Sequence, residues 1–583
     1  MFQATNLKRS IFFTLLDTIA TYIAVTIAFL LRFDFNVSSD YIDDIHIMSV
    51  ILILLKVSLF YVGSVYKVSW RHFSFRDSVL VVYLSIVTTI IFTTTVYFLR
   101  DGFLEGFPRS VIPIEFFISL FLILSFRIIK RFFLEIFNKN ALGLPTLVVA
   151  TSKQASEITR KMQQNGEFWP VAIFDNSSSG TKINGVVMKS LNELTEYHAG
   201  LQQAIVSDEF ELEEIYKILK DLGIKDFKKY NSQGGIEENF KDVTVEDLLA
   251  RHPKDLDKAK IENFIENKTI LISGAGGSIG SEICRQCEKF GAKKLILVDH
   301  SEYNLYSIME EIKLVEAIPV MQSIVDREEL DKVFLTYKPD IVIHAAAYKH
   351  VPLVEANFKA GIVNNVCGTK NIIDIAIKYS AEKFVMISTD KAVRPTNVMG
   401  TTKRICELYA QNSNGNVTDI VAVRFGNVLG SSGSVIPKFK AQIENSQNIT
   451  VTHPDITRYF MLIPEACELV LQAGAIGTGG EIFILDMGEP IKIVDLAKKM
   501  IELSGKKGIE IEFSGLRPGE KLYEELLIDD SDAKTDYESI TVAAPTYYDM
   551  KKLNKDIKEL LTTQEVLQKL KEIVPEFNHK PNA

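Results

Sequence analysis

The stretch Thr269 to Glu282, Thr-Ile-Leu-Ile-Ser-Gly-Ala-Gly-Gly-Ser-Ile-Gly-Ser-Glu, leaves the middle of this chain few folds to choose from. Ile270 to Ile272 form a short apolar run that reads as a buried strand, and Ile283 opens a helical pattern. Between them glycines fall at Gly274, Gly277 and Gly280, with an extra one at Gly276. Glycine lets the backbone turn sharply and approach a pyrophosphate, and the helix that follows offers free N–H groups and a positive dipole end. Ser278 and Ile279, inside the same turn, are counted with the cofactor contacts. A second strand, Lys294 to Val298, ends in Asp299, at the spacing where a dinucleotide site holds ribose hydroxyls. This order predicts a Rossmann unit. Asp299 would repel a 2′-phosphate, so the expected cofactor is NAD rather than NADP.

At 583 residues the chain is too long for one core, and several domains are expected. The net charge is −9, with no basic excess, so no nucleic-acid partner is expected. The mean hydropathy, +0.11, is high for a soluble enzyme of this size. Four apolar runs explain it: Ile11 to Leu31, Ile45 to Tyr66, Ser78 to Leu99 and Val111 to Ile129. Each has about 20 residues, enough to cross ~30 Å of hydrocarbon as a helix. The first is too long for a cleaved signal peptide. Residues 1–140 are therefore expected to form a four-helix transmembrane anchor.

Flanking charges orient that anchor. Lys8 and Arg9 precede the first run, while Asp40, Asp43 and Asp44 follow it with Arg32 as the nearby cation. Lys67, Arg71 and Arg76 separate the second and third runs, and Arg127, Lys130, Arg131 and Lys139 follow the fourth. Basic loops stay cytoplasmic, which places both termini and everything after Lys130 in the cytoplasm. Asp17, Lys56 and Glu115 fall inside the runs and are read as packing or anchoring groups rather than a transport path. The five cysteines fit a reducing compartment; Cys284 and Cys287 form a C-x-x-C inside a helix pattern with no second pair, so no metal site is expected.

Residues 141–250 read as a small α/β domain. Thr146 to Ala150 is its first strand, but Thr-Ser-Lys-Gln-Ala follows without a glycine, so a scaffold or oligomerisation role is expected there rather than phosphate binding. Asp247 to Arg251 reads as the junction into residues 251–583, a doubly wound parallel sheet with a smaller C-terminal substrate lobe. From Asp529 the chain turns polar and then helical through Leu570, which reads as a docking tail or lid edge.

Within the catalytic part, a strand ending at His344 runs into Ala345, Ala346 and Ala347, small residues that let the chain pass close to a cofactor, and then into Tyr348-Lys349-His350-Val351-Pro352. His344 reads as a strand cap. Lys383 to Ser388 is another strand, and its end carries Thr389, Asp390 and Lys391. Met399 and Lys403 then share one face of a helix.

These segments resemble the extended short-chain dehydrogenase/reductase superfamily. More narrowly, Arg424-Phe-Gly-Asn-Val-Leu-Gly, His453-Pro-Asp-Ile-Thr-Arg-Tyr-Phe-Met and Gly515-Leu-Arg-Pro-Gly-Glu-Lys resemble the large, membrane-anchored UDP-N-acetylglucosamine 4,6-dehydratases of bacterial glycan synthesis. The likeness is strongest to the configuration-retaining enzymes that start bacillosamine-type sugars. The wider superfamily uses Tyr-x-x-x-Lys, with the phenolate as base; here Met399 takes the tyrosine place and Lys403 remains. A thioether takes no proton, and the resembled dehydratases share the replacement.

The resemblance implies an internal redox elimination on UDP-N-acetylglucosamine: C4 is oxidised, water is lost across C5 and C6, and the hydride returns to C6. Lys391 is then the C5 base, with its pKa expected to fall through burial beside Lys403; Asp390 is the acid at C6; Thr389 bonds the C4 oxygen; and Lys403 holds the nicotinamide ribose. Asp390 acting through Thr389 is the expected acceptor of the C4 hydroxyl proton. Asp326 is placed at the adenine, and Lys349, His350, Asn427, Arg458, Arg517 and Glu520 at the substrate, the two arginines as pyrophosphate clamps. A multi-pass protein of the bacterial plasma membrane, assembled as a homo-oligomer, is implied. The competing readings are a C4 epimerase on UDP-N-acetyl sugars and a non-catalytic NAD-binding membrane scaffold or sensor. An epimerase of this superfamily keeps its tyrosine, so Met399 beside Asp390 and Lys391 favours dehydration.

Overall fold

The computed structural model describes residues 6–67, 75–99, 108–137, 143–176, 180–197, 201, 203–210, 212–224, 226–231, 240–249, 255–413, 417–526 and 533–580. Arg71, Lys139, the Ala250–Arg251 end of the junction and Asp529 lie outside them. The chain divides into two compact units, Met1–Gly143 and Leu144–Ala583.

The first unit contains helices Asn6–Arg32, Ile42–Val62, Phe75–Leu99 and Val111–Phe137. Three spans are long and apolar enough to cross a membrane, Ser10–Arg32, Ile42–Val62 and Arg76–Phe98. The fourth run is a helix as expected but is not among these three. The charges inside the runs meet partners on other helices. Arg127 donates to both carboxylate oxygens of Asp17 at 2.8 and 2.6 Å. Lys56 donates to Glu115 at 2.9 Å and to Ser119 at 2.8 Å. All four charged groups are buried, where an unpaired charge would be costly, so the pairs pin which helix faces meet.

The second unit is built on two sheets. The smaller, between Leu144 and Asp242, is seven-stranded, with Leu144–Val149 central and paired in parallel to Phe168–Asp175 and Gln203–Ser207. The helix after its first strand, Ser152–Asn165, has its N-terminus occupied by the chain itself: Asp175 accepts from the Ser152 amide and hydroxyl, both at 3.0 Å. A carboxylate there takes the position that a phosphate would otherwise fill.

The larger sheet has nine strands. In chain order they are β1 Thr269–Ser273, β2 Lys294–Asp299, β3 Glu316–Met321, β4 Ile341–His344, β5 Lys383–Ile387, β6 Asp419–Arg424, β7 Ile482–Leu485, β8 Ala533–Lys534 and β9 Ile540–Val542. Their spatial order is β3-β2-β1-β4-β5-β6-β7-β9-β8, parallel through β7 and antiparallel beyond it. The inner strands are buried along nearly their whole length, which is why they read as continuous apolar runs rather than alternating ones. The order reverses between β1 and β4, and a crevice opens there at the strands' carboxyl ends.

A lobe with its own apolar core, including Ile436, Phe439, Ile456, Phe460 and Leu496, stands beside the carboxyl ends. Val245, from the segment that follows the smaller sheet, belongs to the same core. The C-terminal segment is not a tail or lid edge. Helices Met550–Thr562 and Val566–Ile573 bury Leu553, Ile557, Leu560, Leu570 and Ile573 in the main core. Their charged faces made the segment look polar, while the apolar residues between those charges cover the sheet.

Candidate active site

The glycine loop is shaped by three close approaches, one of them between Gly276 and Asn304, where an added Cβ would lie 2.5 Å away. A Cβ on Gly280 would lie 2.0 Å from the Gly274 carbonyl oxygen, and a Cβ on Gly274 would lie 2.8 Å from the Ala346 amide nitrogen. Gly277 is different: a Cβ there meets nothing closer than the Gly274 oxygen at 3.3 Å, and its outer side faces a cavity. The protein's own packing requires Gly274, Gly276 and Gly280, while Gly277 borders the cavity. Asp299 braces the loop, accepting from the Gly276 amide at 3.0 Å and the Ser301 amide at 2.9 Å.

The cavity, about 860 Å³, runs from this loop across the ends of β4 and β5 into the C-terminal lobe. Its wall carries Gly277, Ser278, Ile279, Gly280, Ala345, Ala347, Lys349 and His350. Thr389, Lys391, Met399, Lys403 and Asn427 also line it, as do Arg458, Arg517 and Glu520. Gly274, Ala346, Asp299, Asp326 and Asp390 are not on the wall. Asp326 is exposed and caps the helix Arg327–Tyr337, accepting from the Glu329 amide at 3.2 Å.

The helix Val398–Asn412 brings Met399 and Lys403 to the centre. Asn397 caps it by accepting from the Gly400 amide at 2.7 Å. A Cβ on Gly400 would lie 2.2 Å from the Lys391 carbonyl oxygen, so glycine is what lets the helix start close against the Thr389–Lys391 turn. Lys403 donates to the Ile387 carbonyl at 2.6 Å, and burial lowers its pKa. His344 lies deeper, between the Ser273 and Thr369 hydroxyls at 2.7 and 2.9 Å. Burial, with Lys403 adding to it, pulls the His344 pKa down to about 3, so it is a neutral structural group.

The turn after β5 holds the reactive groups. Thr389 donates its hydroxyl to Asp390 Oδ1 at 2.8 Å. Lys391 Nζ lies 3.0 Å from the same oxygen and 3.1 Å from Asn427 Oδ1. Asp390 is fully buried, and its Oδ2 has no hydrogen-bond partner among the described residues. Lys391 departs from the sequence expectation. Burial alone would lower its pKa, but the carboxylates of Asp390 and Glu524 outweigh burial and Arg458, and the pKa is raised. Lys403, by contrast, is lowered.

The two proposed clamps differ. Arg458 is buried and already donates to the carbonyls of Thr457, Leu522 and Lys521 at 2.6, 3.3 and 2.8 Å. Its guanidinium shapes the wall rather than standing ready for a phosphate. Arg517 also lines the cavity, beside Glu520, which accepts from the Arg517 amide at 3.0 Å. Lys349 is pushed down in pKa by burial, and His350 likewise by burial with Lys349 beside it.

Several participants escaped the sequence reading. Asn365 holds the Tyr348 backbone from both sides, accepting from its amide at 2.8 Å and donating to its carbonyl at 3.0 Å. Ser431 to Ser434 line the cavity, and the Ser432 amide donates to Ser278 at 3.1 Å. The run Gly-Ser-Ser-Gly-Ser was the available sign of that loop. Glu524 stands behind Lys391 with its Nζ 3.8 Å away.

Fold and site together define a protein of the extended short-chain dehydrogenase/reductase class. Residues 270–545 match the family model described as polysaccharide biosynthesis protein. The chain is 44% identical over 519 residues to the capsular polysaccharide biosynthesis protein CapD of Staphylococcus aureus, covering 84% of this chain and 86% of that one. It belongs to this polysaccharide biosynthesis family. It is also 34% identical over 282 residues to a UDP-glucose 4-epimerase of Rickettsia canadensis, covering 46% of this chain and 80% of that one. Among solved structures it is similar to DesIV, a dTDP-glucose 4,6-dehydratase of Streptomyces venezuelae with NAD and TYD bound. That match has 19% identity and a TM-score of 0.41, and covers 50% of this chain and 96% of the other.

Proposed function

We propose that this chain is a membrane-anchored dehydratase that converts UDP-N-acetylglucosamine into a UDP-4-keto-6-deoxy-N-acetylhexosamine, the opening step toward a deoxyamino sugar for glycan assembly. The observation that carries this reading is the centre of the cavity: a methionine stands where an epimerase needs its phenolate, and Thr389, Asp390 and Lys391 are linked beside it. An epimerase needs neither an acid for C6 nor a base for C5. The anchor would hold the catalytic unit at the cytoplasmic face of a bacterial plasma membrane, where the sugar nucleotide is made.

NAD fits the site. The room beside Gly277, the helix start at Ser278 and the carboxylate of Asp299 are what a pyrophosphate and an adenine ribose require. When bound, NAD supplies the hydride acceptor for C4 and the donor for C6. Gly277→Ala is expected to weaken NAD binding by about tenfold, roughly 1.4 kcal/mol, by calorimetric titration. The unfolding temperature should move little, because the added methyl meets only the Gly274 carbonyl oxygen, at 3.3 Å.

Thr389 bonds the C4 hydroxyl and passes its proton to Asp390 along the 2.8 Å contact. Asp390, so protonated, supplies the proton that the C6 hydroxyl needs on leaving, relayed through the Thr389 hydroxyl because its own carboxyl lies behind the wall. Lys391 removes the C5 proton made acidic by the C4 ketone, and Asn427 holds its amine in place. Lys403 bonds the nicotinamide ribose, and Lys349 and Arg517 supply positive charge for the substrate diphosphate.

The likeness to a UDP-glucose 4-epimerase keeps one other reading open to test, a C4 epimerase. Mass spectrometry of the full chain with UDP-N-acetylglucosamine and NAD separates the two. Loss of one water supports the dehydratase, and a product of unchanged mass with the galacto configuration overturns it.

A further inference from the structure

The elimination draws two protons from the substrate before it returns either: one from the C4 hydroxyl, one from C5. On the dehydratase reading, Thr389 and Asp390 take the first. Lys391 must take the second, yet its ammonium sits between carboxylates that hold its own proton on, Asp390 at 3.0 Å and Glu524 at 3.8 Å. An ammonium has no lone pair, so Lys391 acts on C5 only after passing a proton to a neighbour. Asn427 holds its proton-bearing nitrogen in an amide and is no base. Asp390 is occupied by the C4 proton.

Glu524 remains. It is 8% exposed, its Oε1 lies 3.8 Å from both Lys391 Nζ and Arg458 Nε, and its Oε2 is buried without a hydrogen-bond partner among the described residues. The charged groups facing it are Lys391, Asp390, Arg458 and Lys521. Burial raises its pKa, and Asp390 adds to this against the three cations. A separation of 3.8 Å is that of an ion pair rather than a hydrogen bond, so the transfer requires the flexible lysine stem to turn Nζ from Asn427 toward Glu524.

We propose that Glu524 is the proton store of Lys391, a positioning residue that takes the resting ammonium proton and thereby makes the C5 base. The inference rests on the dehydratase reading. The Nζ–H bond breaks as an Oε–H bond forms. The freed amine lone pair then takes the C5 proton, and the C5–H electron pair moves into the enolate of the C4 ketone. After the sugar is reduced at C6, Lys391 returns its proton to C5 and Glu524 returns the stored one to Lys391.

The 4-keto product tests this without any hydride step, because its C5 proton exchanges with deuterated water whenever a base reaches it. The ketone delivers no C4 proton to Asp390, so Asp390→Asn, whose amide cannot take the Lys391 proton, is the common background: exchange is followed by proton NMR against pH in the full-length wild-type chain, in Asp390→Asn and in Asp390→Asn carrying Glu524→Gln. Exchange in the wild-type chain and in Asp390→Asn is expected to be rapid at neutral pH. In the double variant it should fall by about tenfold or more, within the usual worth of a positioned proton-transfer group, and recover as alkaline solvent strips the Lys391 ammonium. A residue contributing only negative charge predicts the reverse: its removal eases Lys391 deprotonation, and exchange shifts to lower pH. That shift, or an unchanged profile, overturns the proposal. Should the double variant lose its cooperative unfolding transition, Glu524→Asp in the same background carries the test: its shorter carboxylate is expected to slow neutral exchange, and a wild-type rate overturns the proposal. Absence of exchange in the wild-type chain itself overturns the dehydratase reading as well.

Discussion

Lys391→Met is expected to lower turnover of UDP-N-acetylglucosamine by about 10²–10⁴-fold, the usual worth of a positioned proton-transfer group. Methionine fills the space of the lysine stem without the amine, so the cavity keeps its shape. What disappears is the nitrogen held 3.0 Å from Asp390 and 3.1 Å from Asn427. Thr389 and Asp390 keep their own 2.8 Å contact, so oxidation at C4 should survive. The expected signature is therefore a split: reduced cofactor forms, seen by its near-ultraviolet absorbance, while no water is lost and no deuterium enters C5 from solvent. Loss of the first step together with the second would mean that Lys391 shapes the site rather than serving as its base.

Glu407→Ala is expected to destabilise the catalytic unit by about 3–5 kcal/mol, the cost of leaving buried charge without its partner. Glu407 is fully buried and accepts from Arg424 at 2.7 and 2.6 Å, from Arg404 at 3.1 Å and from the Ser388 hydroxyl at 2.7 Å. Ser388 lines the cavity one residue before Thr389, so this network supports the turn on which the chemistry depends. Burial alone would raise the Glu407 carboxyl; the Arg424 guanidinium, with Arg404 and Ser388, outweighs it and holds the pKa at about 2. A carboxyl depressed in the folded state stabilises fully above its unfolded value of ~4.3. That contribution is lost as pH falls through about 2. Denaturant titration of wild type and variant should show the difference at neutral pH and a narrowing gap in acid.

The parts of the fold that are local in the chain could be read from it. The glycine loop with Asp299, and the Thr389-Asp390-Lys391 turn, are each short runs whose neighbours decide their structure. What escaped depends on partners far along the chain. The charge on Lys391 is held first by Asp390, its own chain neighbour, and then by Glu524, which the sequence separates from it by a whole lobe, so proximity to Lys403 is the wrong guide. Arg458 looked like a free fork because nothing in its own segment announces the carbonyls of Lys521 and Leu522. The cap that Asp326 provides, accepting from the Glu329 amide, is by contrast local and follows from its place just before a helix. The last helices were misread because their charges outnumber the few apolar residues that reach the core.

In the proposed reaction the hydride moves within one sugar, from C4 to C6. This is tested most directly with UDP-N-acetylglucosamine deuterated at C4, incubated with the full-length chain and NAD. The account predicts a product in which the C6 methyl carries the deuterium, visible by NMR as a CH2D group, with C5 exchanged from solvent. Deuterium found back at C4, on a sugar that keeps its C6 hydroxyl, would contradict the account and establish an epimerase.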